Sequence, residues 1–230
     1  MSKTVDAHLE APNDGRILNV RKPIGWTSND VVRRAKRLIH GGKVGHAGTL
    51  DPFADGVLLL CFGRAATRQV PQLMALEKEY RLVLQMGVAT DTLDVSGVVI
   101  ERRPMQPLSQ VRIEQALRRF VGEIEQTPPV YSAVHIEGRR AYDLARRGEA
   151  FELQKRCVRI HRLALIDFNA DRLTLEAVCS KGVYVRSLAR DIAEALGEIG
   201  YLKKLTRTRI GPYDIRASFA VTELEKLLTL

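Results

Sequence analysis

The alternation of apolar and polar positions divides the 230-residue chain into many short extended runs and a few helical ones. Ile17, Leu18 and Val20 predict a strand over 17–20, ended by a turn at 21–25, where Pro23 supplies no donor and Gly25 permits unusual backbone angles. Thr27 and Ser28 are cap residues, and Thr27 with Asp30 reads as a capping box. Val31, Val32, Ala35, Leu38 and Ile39 then share one helical face, Arg33, Arg34, Lys36 and Arg37 the other, and Gly41-Gly42 is the predicted stop. Residues 57–62 are apolar without interruption and bounded by Gly56 and Gly63, the pattern of a buried strand. Tyr80, Leu82, Leu84 and Met86 alternate with Arg81, Val83 and Gln85, so this strand buries one face. Further strands are expected at 98–100, 130–136 and, as a hairpin, 157–168 with 173–179. Helices are expected at 108–121 (Val111, Ala116, Leu117 and Phe120 inward), at 141–147, after 183–186 (Leu188, Ile192, Ala195 and Leu196 inward), and after Thr222, capped with Glu225. Residues 202–215 are basic and partly extended. Strands outnumber helices and often follow one another directly, which argues against parallel βαβ winding. The expectation is a single α+β domain over 15–230, with a mixed, largely antiparallel central sheet flanked by helices, behind a flexible polar tail, 1–14.

One stretch breaks these patterns. Residues 45–56 read Gly-His-Ala-Gly-Thr-Leu-Asp-Pro-Phe-Ala-Asp-Gly, a long loop between a basic amphipathic helix and a core strand. Ordered loops of that length are usually functional. Pro52 biases Asp51 toward extended geometry and Gly48 allows a tight turn, so the Asp51 carboxylate can face a cleft. In basic surroundings its ionised form is favoured, which suits a nucleophile rather than a general acid. On the residues alone, Asp51 as nucleophile and Asp51 as cap of the following turn both stand. Asp55 reads as the residue that starts the turn into the strand and is expected to point outward; a glycosidase-like pair of Asp51 with Asp55 would need both acids in one cleft.

Charge narrows the choice. Lys and Arg total 36 against 27 Asp and Glu, a net charge of +9, which predicts a polyanionic partner, most often nucleic acid. The excess gathers before the loop (Arg33 to Lys43), at Arg139, Arg140, Arg146 and Arg147, at Lys155, Arg156, Arg159 and Arg162, and at Lys203, Lys204, Arg207 and Arg209. These groups read as a phosphate-contacting surface or as a solvated face. The three cysteines show no metal spacing, and Cys61 and Cys179 lie in apolar runs as core residues. The five histidines form no metal pattern, and neither phosphate-loop pattern nor serine elbow occurs, so no metal and no cofactor is expected. No apolar run nears the roughly 20 residues of a membrane helix, and residues 1–15 lack the apolar middle of a signal peptide; a cytoplasmic protein is expected.

Residues 45–52, followed by Gly56-Val57-Leu58, closely resemble the signature of the TruB family of pseudouridine synthases. Lys22-Pro23-Ile24-Gly25-Trp26-Thr27-Ser28 is similar to that family's lysine-proline motif, Glu79-Tyr80-Arg81 to its tyrosine motif, and 179–188 (Cys-Ser-Lys-Gly-Val-Tyr-Val-Arg-Ser-Leu) to its arginine motif. The four occur in family order. The resemblance implies the pseudouridine synthase fold and conversion of the T-loop uridine of tRNA, conventional position 55, to pseudouridine, without cofactor or metal, by a monomer that binds the T-arm. It implies Asp51 as catalytic aspartate, Tyr80 as the tyrosine that stacks on the target uracil and a candidate base, and Arg186 as the arginine paired with the aspartate. It further implies His46 in contact with displaced bases, Tyr184 and Leu205 in the uracil pocket, and Lys22 among the substrate-binding residues. Stacking on an aromatic returns roughly 1–3 kcal/mol toward extruding a base. Many bacterial members continue into a small C-terminal RNA-binding domain, for which this sequence leaves no room, and Arg21 and Asp55 stand where the family often has other residues. A degenerate synthase acting as an RNA-binding or tRNA-folding module is the alternative.

Overall fold

The computed structural model describes residues 15–40, 42–132, 134–136 and 138–228, with the backbone of 9 and 10. The expected tail over 1–14 lies almost wholly outside them. In chain order the main elements are β1 (Ile17–Lys22), α1 (Ser28–Arg37), β2 (Val44–Ala47), β3 (Asp55–Phe62), β4 (Lys78–Met86), β5 (Val88–Thr90), β6 (Val99–Arg102), α2 (Gln110–Arg118), β7 (Gly122–Gln126), β8 (Arg156–Phe168), β9 (Arg172–Cys179), α3 (Val185–Ala195), β10 (Gly200–Ile210) and β11 (Phe219–Ala220). Short helices lie at Gly63–Arg68, Val70–Ala75, Ala141–Arg146 and Leu224–Leu228. The chain divides into two compact units, Glu79–Leu205 and the residues on either side of it. Strand β10 begins in the former and ends in the latter.

In the unit formed by both ends of the chain, β3 is the organising strand. It pairs antiparallel with β1 along one edge, Ile17 opposite Cys61 through Lys22 opposite Gly56. Its other edge is shared by two strands. Antiparallel β2 takes Leu59 to Phe62, and parallel β10 takes Asp55 and Gly56 opposite Thr206 and Arg207. β11 runs parallel to β1. The unbroken apolar run predicts burial of both faces, and both are buried. Leu58, Leu60 and Phe62 pack with Val31, Val32 and Ala35 of α1 and with Leu224. Val57, Leu59 and Cys61 pack on the opposite side with Ala47, Ala66 and Ile210. The α1 capping box forms as expected: the Thr27 side chain accepts from Asp30 N–H and Asp30 returns a bond to Thr27.

In the other unit the order is β10, β4, β9, β8, β7. β8 and β9 form the predicted hairpin, Ile160 opposite Cys179 through Phe168 opposite Leu173, with two register shifts. Tyr80, Leu82, Leu84 and Met86 are buried, as their alternation requires. Helix α2 packs on β8 and α3. Ile113 rather than Val111 enters the core, and Val111 is exposed, because Ser109 caps the helix and fixes its phase. In α3, Ala193 is buried where Ala195 was expected. At the final helical segment Glu223 accepts a bond from Ala220 N–H.

Candidate active site

The loop around Asp51 is shorter than its sequence suggests. Val44–Ala47 pairs with the end of β3, and Asp55 already belongs to β3, so only 48–54 is loop. Gly48 turns the chain at φ +81°. Every carbonyl from Gly48 to Pro52 is then held by a donor. The Arg207 guanidinium gives Nη2 to Gly48 O at 2.8 Å and Nη1 to Thr49 O at 3.4 Å. Ser28 Oγ donates to Leu50 O and accepts from Leu50 N–H at 2.9 Å. Ala54 N–H closes a turn on Asp51 O at 3.1 Å, and Gly25 N–H reaches Pro52 O at 2.8 Å. Lys22 Nζ donates to Trp26 O, Pro23 O and Pro52 O at 2.6, 2.9 and 3.4 Å. A half-buried aspartate side chain thus stands on a backbone fixed at five successive residues, the kind of base a reactive group needs.

The electrostatics of this unit follow from burial. Lys22 is fully buried, and desolvation brings its pKa down from 10.5 to about 8 against the pull of Asp55 and Asp51. His46, on β2, is pushed below its ordinary value first by burial and then by the Arg207 charge, which favours the neutral imidazole. Its Nδ1 is buried with no hydrogen-bond partner among the described residues. Asp55 is not available as a second reactive acid. Its Oδ2 accepts from Arg21 Nη2 at 2.6 Å and Nε at 3.1 Å, and its Oδ1 from Thr206 Oγ1 at 2.6 Å. Arg21 and Asp55, the two departures from the family pattern noted in the sequence, are partners of one another.

In the Glu79–Leu205 unit, Tyr80 lies on β4 and Leu205 on β10, both buried. Arg186, in the first turn of α3, is also buried. It donates to Thr92 O at 3.2 Å and Tyr131 O at 3.0 Å, and lies 3.6 Å from the buried Asp94 carboxylate. Asp94 is held in turn by Thr92 Oγ1 at 2.9 Å and Ser96 N–H at 2.8 Å. Tyr184 precedes α3, and its N–H donates to Gln126 Oε1 at 2.8 Å. The structure thus gathers Lys22, His46 and Asp51 in one unit and Tyr80, Tyr184, Arg186 and Leu205 in the other.

Sequence reasoning missed two residues. Asp94 reads as part of a polar loop, although a DxxD spacing around Thr92 is a signal for side chains turned back on their own backbone. Arg207 was grouped with surface cations; it is 1% exposed, so it leaves the phosphate-contacting set. Among the described residues no group of His, Cys, Asp and Glu could hold a metal ion, and no helix is long and apolar enough to cross a membrane. Cys61 and Cys179 are core residues as expected, their thiols pushed up to about 11 and about 12 by burial.

Residues 36–185 match the TruB family pseudouridylate synthase (N terminal domain). A tRNA pseudouridine synthase B of Caldanaerobacter subterraneus subsp. tengcongensis is 43% identical over 211 residues, which cover 91% of this chain and 74% of that one. The chain belongs to the TruB family of pseudouridine synthases. A tRNA pseudouridine synthase B of Phocaeicola vulgatus is 42% identical over 88% of each chain. Among solved structures, a Cbf5-Nop10-Gar1 complex contains a chain of similar fold, with TM-score 0.71 and 26% identity over 96% of this chain; the match spans 61% of that longer one. As a TruB-family member the protein is an RNA pseudouridine synthase, an isomerase, with the α+β fold expected of it. The matched family stretch includes His46, Asp51, Tyr80 and Tyr184, while Lys22, Arg186, Leu205 and Arg207 lie outside it.

Proposed function

We propose that the protein converts the T-loop uridine of tRNA to pseudouridine, with Asp51 as nucleophile. The relatives named above act on tRNA by name, and the basic composition suits a polyanionic partner. The observation that carries the reading is the fixed backbone under Asp51, with a donor on each carbonyl from Gly48 to Pro52. A half-buried aspartate on a fixed loop, with its neighbour Asp55 engaged by Arg21 and Thr206, suits a single-carboxylate mechanism rather than a paired-acid hydrolysis.

The reaction breaks the bond from C1′ to N1, turns the uracil, and joins C1′ to C5; a proton leaves C5 and one arrives at N1. No atom is gained or lost overall. The target base leaves its stack to reach the carboxylate, at a cost of a few kcal/mol. Tyr80 is the stacking platform and candidate base for the C5 proton, Tyr184 and Leu205 line the uracil pocket, and Arg186 is the guanidinium partner of the aspartate. His46, as neutral imidazole, contacts the displaced bases. Lys22, read from the sequence as substrate-binding, acts as a positioning residue, because its ammonium is spent on Pro23, Trp26 and Pro52. The enzyme works as a cytoplasmic monomer on the T-arm.

Incubation with unmodified tRNA, followed by pseudouridine mapping, tests the proposal. Product is expected at the T-loop uridine, and Asp51→Asn abolishes it while tRNA still binds. Substantial product from Asp51→Asn, or product at another site, overturns the reading; binding with no product by the wild type favours the RNA-folding module.

A further inference from the structure

We propose that Arg207 is a positioning residue for this reaction: it fastens the backbone that carries Asp51 and does not bind RNA phosphate. The inference rests on the reading of Asp51 as nucleophile.

The segment around Arg207 is rich in cations, and the structure separates them. Lys204 is exposed. Arg209 pairs with Glu77 at 2.8 Å, and Lys203 donates to Gln85. Arg207 turns inward. Its Nε donates to Val57 O at 2.8 Å, and its two terminal nitrogens take the successive carbonyls of Gly48 and Thr49. Val57 lies on β3 and Gly48 just beyond β2, so one guanidinium ties the start of the loop to the strand that follows it. A planar fork with donors on three nitrogens can serve three carbonyls in different directions; a lysine ammonium on a single atom cannot match that spread. Burying a cation carries a heavy desolvation penalty. A core that needed only to be filled at this point would be better served by an apolar side chain.

The strand junction explains how the fork gets there. β2 and β10 occupy the same edge of β3 end to end, and Arg207 sits where one stops and the other begins. Gly56 makes the approach possible. A Cβ on Gly56, at φ +119°, would lie 2.2 Å from Arg207 O and 2.7 Å from Arg207 N. The glycine of the loop motif and the arginine of the last long strand are therefore two halves of one device. Burial first, and the Arg207 charge second, also disfavour protonation of His46.

Arg207→Met keeps the side-chain length without the fork, and Arg207→Lys keeps the charge. Each is compared with wild type by hydrogen exchange, by tRNA binding, and by single-turnover pseudouridine formation at saturating tRNA. In Arg207→Met, amides of 48–54 exchange about tenfold faster while the β8–β9 hairpin is unchanged. The turnover rate falls roughly 100-fold, as a displacement of about 1 Å at the reacting group would give. Affinity for tRNA stays at the wild-type value. Arg207→Lys does not restore the rate, and it carries the test alone if the methionine variant fails to fold. A lysine variant with wild-type rate, a loss of affinity with the saturated rate intact, or a loop that exchanges as in wild type each overturns the proposal. If wild-type enzyme forms no pseudouridine, the functional reading falls, and the exchange arm still decides whether Arg207 fastens the loop.

Discussion

Lys22 shows how a residue's type can mislead about its role. The family resemblance makes this lysine a substrate-binding residue, yet it is buried under three carbonyls. Nothing local announces this, because two of its acceptors lie in its own turn and the third, Pro52, lies 30 residues away. Its depressed pKa has a sign that can be checked. The folded protein releases the Lys22 proton near pH 8, the unfolded chain near the ordinary 10.5. Between those values the unfolded state holds more protons, so the Lys22 contribution makes stability rise with pH across that window. Melting temperatures of wild type and Lys22→Met, measured from pH 7.5 to 10.5, give a difference that shifts toward the wild type as pH rises. A flat difference would mean that Lys22 keeps its proton throughout. Asp51 itself was legible as the centre of an unusual loop, since Gly48, Pro52 and the flanking patterns are all local signals.

Elements with a strong local signal came out as their sequence suggests. The Thr27–Asp30 capping box, the doubly buried β3 and the β8–β9 hairpin all depend on near neighbours or on an uninterrupted apolar run. The limits of the loop around Asp51 did not, because Gly45, His46 and Ala47 become strand only by pairing with Leu59 to Cys61 after the chain has turned back. In α2, Ala116 and Leu117 face inward as their spacing suggests, but Ile113 takes the place expected of Val111: the two are equally apolar, and the Ser109 cap decides which is buried. The β3–β10 contact carries its own prediction. Gly56→Ala forces a side chain into the Arg207 backbone and into a region of φ that side chains avoid, and should cost roughly 2–4 kcal/mol. That lowers the melting temperature by about 5–15 °C for a chain of this size. A melting temperature within a degree or two of wild type would show that the strands can separate without loss.

At the scale of the whole molecule, the charge of +9 predicts the partner class but not which cations meet it. Burial sorts them. If on the order of three exposed Lys and Arg side chains meet tRNA phosphates, affinity should fall roughly 50-fold between 50 and 200 mM salt. Lys204→Gln should reduce the slope of log affinity against log salt by about one, and Arg207→Met should leave it unchanged. Equal slopes for wild type and Lys204→Gln would remove Lys204 from the interface. The separation of Arg207 from Val57, 150 positions along the chain, also sets an order of events during synthesis. At roughly 5–20 residues per second, the ribosome emits Asp51 on the order of ten seconds before the arginine that fastens its loop. The nascent protein therefore carries the loop around Asp51 unfastened until roughly 150 further residues have been made, and the loop is completed with strand β10.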